Sequence, residues 1–531
     1  VRFGVDVPNW DEWLFVPFLE RVAHGEATLG DWLAPHNDHV VLVPRVLLAG
    51  LAFTFGWNIW FGLFASLLFA AGTTLTLWRL TRTAAGSPSL LLAGDAATAL
   101  LLFSLVQVEN WLWGMQSAWF LANLCVALAH LALRPSESPP GVRRIALAAG
   151  ACLVATLTTA QGPFAWLAIL PLVAWGSGRV RERGGAIVAW LGLTLAAWML
   201  LLVSMRQARH ASSTEEALRD PLAAARFFFA LLGAPLAPAP DLAVALGVLL
   251  FLAVLGLGVV GLRHDRSAAL PWCSLGAFGM MVAAATALGR VGFGIDYALT
   301  SRYTTNAVLV WVAAWHLARL RLQDLRPRAA LATTLALLAG LLVGLGATSR
   351  WAIEIANTTR LSLSGAKACL ELGNLLEPTR LNEGPMIYLY MHPAGARRRF
   401  DTLVEMGVRQ ARPRPSFDRT ADGRLGLITS PPRLGAPLAS ETVAGWTVVE
   451  DPEHPPILLL SANDGRSFVA AQQLVEGGSP LGARVRFRNR TVAEWEIPLG
   501  ANGPRPDGGP VSAWRFDPGP NRISRLASGT P

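Results

Sequence analysis

Residues 241–262 read DLAVALGVLLFLAVLGLGVVGL, followed at once by Arg263 and shortly by Arg266. No charged residue lies between Asp241 and Arg263. Wound as a helix at 1.5 Å per residue, the run covers about 33 Å, the hydrocarbon thickness of a bilayer. It is apolar on every face, and a surface helix of a soluble domain would be apolar on one. The stretch predicts a membrane span that ends at an arginine-marked loop.

Working outward, the same pattern recurs. Apolar runs at about 57–79, 90–107, 111–133, 143–160, 163–177, 186–205, 268–289, 303–320 and 329–348 bring the candidate spans to about ten. Composition agrees: 53% of the chain is hydrophobic and only 15% is charged, where soluble domains carry about 25% charged residues. The fold class expected is an α-helical polytopic membrane protein with an extracytoplasmic α/β tail.

Charge sets the orientation. The formal net charge is +9, and Lys367 is the only lysine, so the positive charge is arginine. Arg79 and Arg82 occupy one connection; Arg134, Arg143 and Arg144 another; then come Arg179, Arg181 and Arg183; Arg263 and Arg266; and Arg319, Arg321, Arg326 and Arg328. These are alternate connections, and cytoplasmic loops of membrane proteins are enriched in arginine. The outward set is then 1–56, 108–110, 161–162, 206–240, 290–302 and everything after 348. The 206–240 connection fits less well, because it carries Arg206, Arg209, Arg219 and Arg226 against Glu215, Glu216 and Asp220. The basic pI is explained by these loops. No basic stripe with interleaved aromatics exists, which excludes a nucleic-acid partner from the reading.

Four segments follow. Residues 1–56 form a first outer loop with acidic motifs and juxtamembrane helices, including a helix near 40–56. Residues 57–348 are the membrane helices. Residues 349–420 are a helical connector outside the cytoplasm. Residues 421–531 are rich in short strands separated by Gly, Pro, Asn and Asp, and predict a small β-sandwich. Its clearest strands are Ile457–Leu460, Ser467–Val469, Arg484–Arg488 and Ala493–Ile497. Cys125, Cys152 and Cys273 fall in apolar segments and Cys369 stands alone. Their spacing suggests neither a zinc site nor a disulfide framework.

Polar groups gather at the outward ends. Asp11 and Glu12 sit between Trp10 and Trp13, at the interfacial depth tryptophan favours. They read either as acids at a helix start beside an anchor or as a base facing a lipid-linked substrate. His36, Asp38 and His39 could ligate a metal or meet a phosphate, or form a solvated turn. Arg45 could reach a phosphate or snorkel. Gln107, Glu109, Asn110 and Gln116, interleaved with Trp111 and Trp113, suit a sugar, as does Gln161; a short outer turn also needs polar residues. Arg290 and Arg302, the latter followed by Tyr303, lie on the side that disfavours arginine. Arg302 is thus a phosphate candidate, with an Asp296 ion pair as the plain alternative. Asp95 stands inside an apolar run.

Together these residues resemble the C-type (GT-C) membrane glycosyltransferases, the superfamily of protein mannosyltransferases and aminoarabinose transferases. Asp11-Glu12-Trp13 matches that superfamily's acidic pair in type and place. His36-Asn37-Asp38-His39 through Pro44-Arg45 looks like a His-Asn-Glu-His-Arg…Pro segment of an uncharacterised bacterial branch. Glu109-Asn110-Trp111 with Gly114 and Gln116, and Ser301-Arg302-Tyr303, look like further landmarks. The resemblance covers roughly residues 1–350. It implies inverting transfer of a sugar from a polyprenyl-phosphate donor to a glycan, lipid or protein acceptor at the outer face of a bacterial inner membrane. Asp11 would be the base. Asp38 or Glu12 would orient the acceptor or a divalent metal, whose need varies among members and stays open. Arg302, Arg45 or a histidine would steady the leaving phosphate. Members begin with a membrane helix before the acidic loop, so an upstream helix is expected here. A transporter or flippase for lipid-linked glycans and a non-catalytic envelope scaffold are the rival classes.

Overall fold

The computed structural model describes residues 2–37, 39–82, 87–135, 140–174, 184–207, 214–377, 385–410, 413–430, 442–451, 454–474, 477–478, 484–489, 492–498 and 511–528. Contacts divide the chain into two units. One holds residues 28–48 and 60–356; the other holds 1–27, 49–59 and 357–531. The 1–56 segment is therefore shared between them.

Helices come in the order α1 (Val16–Ala23), α2 (Leu29–Leu33), α3 (Leu42–Phe55), α4 (Ile59–Thr81), α5 (Pro88–Leu102), α6 (Val108–Leu112), α7 (Ser117–Ala132), α8 (Val142–Thr156), α9 (Gly162–Ala174), α10 (Gly184–Gln207), α11 (Thr214–Arg219), α12 (Pro221–Gly233), α13 (Pro240–His264), α14 (Arg266–Arg290), α15 (Ser301–Leu322) and α16 (Pro327–Leu372). A helix underlies each of the ten apolar runs. Among the described residues, seven are long and apolar enough to cross a membrane. The other three are α8, with 15 residues, α9, with 13, and α15, whose 22 residues include Arg302, Arg319 and Arg321.

The helix starts are written in the sequence. Asp220 accepts the Ala223 N–H at 2.9 Å with Pro221 behind it, and Asp265 accepts the Ala268 N–H at 3.0 Å. Both satisfy donors that a helix start leaves orphaned. Hydroxyls inside the apolar helices turn back on their own carbonyls: Thr73 to Phe69 and Thr76 to Gly72 bond at 2.8 and 2.7 Å. That removes the cost of carrying a hydroxyl into lipid.

The core of the helical unit is built on Trp166, Trp190, Phe227, Trp272 and Phe278, each 2% exposed or less. Buried indoles need an acceptor. Trp166 Nε1 finds Thr156 Oγ1 at 3.0 Å, and Trp190 Nε1 finds the Trp166 carbonyl at 2.9 Å. Within the 206–240 connection, read above as an outer loop, the structure places α12, with Phe227, Ala230 and Leu232 fully buried. It packs backbone-close against α13. A Cβ at Gly247 would lie 1.8 Å from the Phe229 carbonyl oxygen.

In the other unit, nine strands form one hydrogen-bonded sheet. The helical unit has its own two-stranded hairpin, β1 (Pro35–His36) with β2 (His39–Val40). The nine are β3 (Ser416–Ser430), β4 (Thr442–Val448), β5 (Ile457–Ser461), β6 (Ala470–Gln473), β7 (Gly477–Gly478), β8 (Arg484–Asn489), β9 (Val492–Pro498), β10 (Ser512–Asp517) and β11 (Arg522–Ser528), in the order β6-β5-β10-β11-β3-β4-β9-β8-β7. All neighbours are antiparallel except β11 with β3. Leu458 and Leu460 from one end and Val443, Trp495 and Ile497 from the other enter one buried cluster.

Candidate functional site

The acidic pair lies in a 3₁₀ turn, Trp10–Phe15, opened by Asn9. Glu12 Oε2 accepts the Asn9 N–H at 2.7 Å, the reach-back bond of a capping box. Glu12 is 2% exposed, and Asp11 is half-buried. The two carboxylates that look equivalent in sequence thus have different surroundings: one holds the turn, the other is reached by water. Trp10 has φ +48°, and its N–H donates to the Leu389 carbonyl at 2.6 Å. Nearby in the chain, Asp6 is gripped by Arg409, with Oδ2–Nη1 at 2.8 Å and Oδ1–Nη2 at 2.9 Å. Asp6 Oδ1 also accepts the Ile59 N–H at 2.9 Å. No spacing rule could find that pair, because 403 residues separate its members.

The remaining candidates belong to the helical unit. His36 and His39 face each other across the β1–β2 hairpin, whose turn begins with Asn37 at φ +56°. Asparagine is among the few residues that tolerate that conformation. Asp38 lies outside the described residues. Arg45 is buried, and its Nη1 donates to the carbonyls of Trp32, at 3.1 Å, and Ala34. These carbonyls end α2, which Thr28 and Asp31 open by reciprocal bonds. Arg45 thereby fixes the approach to the histidine hairpin.

Glu109, Asn110, Arg302 and Tyr303 come together. Glu109 Oε2 accepts Ser301 Oγ at 2.7 Å and the Arg302 N–H at 3.0 Å, so a carboxylate answers the positive end of α15. Asn110 Nδ2 donates to the Arg302 carbonyl at 2.9 Å and to Thr305 Oγ1 at 2.6 Å. Gln107 caps the end of α5 through the Leu102 carbonyl at 3.1 Å. Gln116 is buried just before α7. These amides are packed into the protein rather than standing free.

Arg302 differs. Its guanidinium carbon lies 5.4 Å from the Tyr297 ring centroid and 5.3 Å from that of Tyr303, and Nη2 donates to the Tyr297 hydroxyl. Among the described residues no carboxylate, Asp296 included, stands within ion-pair distance of it. Rings steady an arginine without forming an ion pair, and the negative charge at this turn is Glu109, whose carboxylate accepts the Arg302 N–H. Tyr303, the next residue, lines a tight crevice with Trp119 and Asn306 against Leu231, Val282 and Thr286. The sequence reading missed Tyr297 and Trp119, since aromatics at an interface are expected whatever their use.

Among the described residues no three His, Cys, Asp or Glu side chains are grouped to hold a metal. The chain matches no protein-family model, no curated protein and no solved structure. The residues themselves carry the functional reading.

Proposed function

We propose that this chain is a membrane glycosyltransferase of the GT-C kind, moving a sugar from a polyprenyl-phosphate donor to an envelope glycan, lipid or protein acceptor with inversion. The observation that carries the reading is Arg302: a guanidinium held by two tyrosine rings with no carboxylate within ion-pair distance among the described residues, and next in the chain to Tyr303, which lines a small crevice; the arginine-loop reading puts it on the outer side. A lipid phosphate would meet that guanidinium as the leaving group departs. Asp11, the water-reached member of its pair, would take the acceptor's proton. Glu109 and Asn110 act through Arg302 by fixing the start of α15.

The membrane topology belongs to the same proposal. Residues 1–27 and 357–531 share one unit, so an even number of crossings must separate them. Seven is odd, which supports counting α15 as a span despite its arginines. The short α8 and α9 cross as a pair and leave the parity unchanged. Ten spans in a bacterial inner membrane, arginine loops in the cytoplasm and the tail outside fit together. The single shared core at both ends of the nine-stranded sheet supports a sheet curled into a two-layer sandwich.

A reconstitution assay tests the activity. In proteoliposomes fed polyprenyl-phosphate sugars, Asp11→Asn should cut transfer by about two to four orders of magnitude with normal insertion. Arg302→Ala should lose donor binding, with Arg302→Lys restoring part of it. Full transfer in Asp11→Asn, Glu12→Gln and Asp38→Asn alike would end the carboxylate argument. A lipid-linked glycan transporter is the second reading, favoured by one observation: Asp95 and Arg319 are both buried within the helices, at 5% and 1% exposure. Donor flipping without transfer in the same liposomes would select it.

A further inference from the structure

Arg319 is 1% exposed, and among the described residues its Nε, Nη1 and Nη2 have no hydrogen-bond partner. A guanidinium keeps its charge, so burying one without a partner is costly. One turn earlier on α15, His316 is fully buried and stacked on Trp272 with ring centroids 4.0 Å apart. His316 Nε2 lies 2.9 Å from Thr98 Oγ1, and that hydroxyl gives its only proton to the Gly94 carbonyl at 2.8 Å. His316 Nε2 must then carry the proton, and Nδ1 is a lone acceptor with no donor. It offers Arg319 no countercharge.

The countercharge stands next to Gly94. A Cβ at position 94 would lie 2.9 Å from His316 Cε1 and 3.3 Å from Arg319 Cδ, so glycine is what lets α15 press this close to α5. Asp95, the following residue, brings a buried carboxylate to the same turn of α5. Its side chain is turned the other way, to Arg82 Nη2 at 2.8 Å and Thr81 Oγ1 at 3.3 Å. The backbone there is pinned, with Trp78 Nε1 donating to the Asp95 carbonyl at 3.0 Å. The Arg82 side chain is 57% exposed and water can solvate it alone. The one carboxylate serves the arginine that needs it less.

We propose that Asp95 is an exchangeable counter-ion with two states. In one its carboxylate pairs with Arg82 and ties α5 to the end of α4. In the other it rotates to Arg319 and ties α5 to α15, while Arg82 is left to water. Pairing would offset the burial of the Arg319 guanidinium, and water would solvate the released Arg82, so the two states oppose comparable terms. The exchange is a two-position latch at the arginine-marked end of the bundle, and it rests on no part of the glycosyl-transfer reading.

Thermal unfolding of the full chain in lipid nanodiscs tests it. Arg82→Gln and Arg319→Gln should each move the midpoint little, because either arginine can serve Asp95. The double variant should lose far more than the sum of the singles. Asp95→Asn should be severe, and adding Arg319→Gln to it should recover part of the loss. An Arg82→Gln drop as large as that of Asp95→Asn, or an additive double variant, overturns the exchange. A wild-type midpoint that rises with phosphate or chloride while that of Arg319→Gln does not also overturns it, by naming an external anion as the occupant. Should the double variant not fold, infrared spectra of Arg82→Gln decide. A protonated carboxyl band in that variant, removed by Asp95→Asn, would mean that Asp95 had lost its only charged partner and overturns the exchange.

Discussion

The Glu109 carboxylate receives two donors, Ser301 Oγ and the Arg302 N–H, both in the first turn of α15. A charged acceptor at a helix start is worth about 1–2 kcal/mol. Glu109→Ala should therefore lower stability by about that much, and Glu109→Gln, which keeps an acceptor oxygen, by less. Thermal unfolding in detergent reads both. If Glu109 instead binds sugar directly, transfer would collapse in Glu109→Gln while the midpoint stayed put, and the positioning role would be lost. What was legible at this scale was residue type. Arg302 drew notice because arginine is disfavoured on the outer face. Its aromatic grip was not legible, since only the folded turn from Gly294 to Thr300 brings Tyr297 beneath it. Asp11 and Glu12 likewise read as a pair; only the capping bond to Asn9 separates them.

Among elements, α12 and α13 make the closest approach in the helical unit. Cβ atoms at Gly233 and Gly247 would fall 1.9 and 1.8 Å from carbonyl oxygens of the facing helix. Neither backbone can yield as a flexible side chain could. Gly247→Ala should destabilise the chain by about 1–3 kcal/mol or block its insertion, whereas Gly256→Ala, with open space around it, should be neutral or slightly stabilising. Equal melting of the two variants would refute the packing account. The start of α12 could be read from Asp220-Pro221, a helix-opening pair. The helix is hidden in the sequence because its 13 residues fall short of a span. Length separates spans from loops well only when short helices do not pack inside the bundle.

At the scale of the whole molecule, the seven helices long and apolar enough to cross a membrane were legible because lipid makes one demand, a continuous apolar helix, that composition alone can state. The tail was less so. β5, β8 and β9 were marked by apolar or alternating runs. β10 is buried along nearly its whole length between β5 and β11, so it shows no alternation. β3 carries Asp418, Asp422 and Gly423, residues that elsewhere signal turns. The grouping of residues 1–27 with 357–531 could not be read at all, because it depends on bonds such as Asp6–Arg409. It nevertheless yields the strictest prediction. In a variant with the four native cysteines replaced, single cysteines at Glu26, Thr420 and Ser267, all exposed positions, should react differently with a membrane-impermeant maleimide on intact cells. Positions 26 and 420 share a unit and must behave alike; with the arginine loops inside, both should label at once. Position 267, beside Arg263 and Arg266, should label only after the membrane is opened. Unlike behaviour at 26 and 420 would break the even count and return α15 to a non-spanning role. Like behaviour with the order reversed, 267 outside and the other two inside, would keep the count but invert the molecule, placing Arg302 and Asp11 on the cytoplasmic face. The lipid-phosphate reading, which depends on the outer face, would then fail with it.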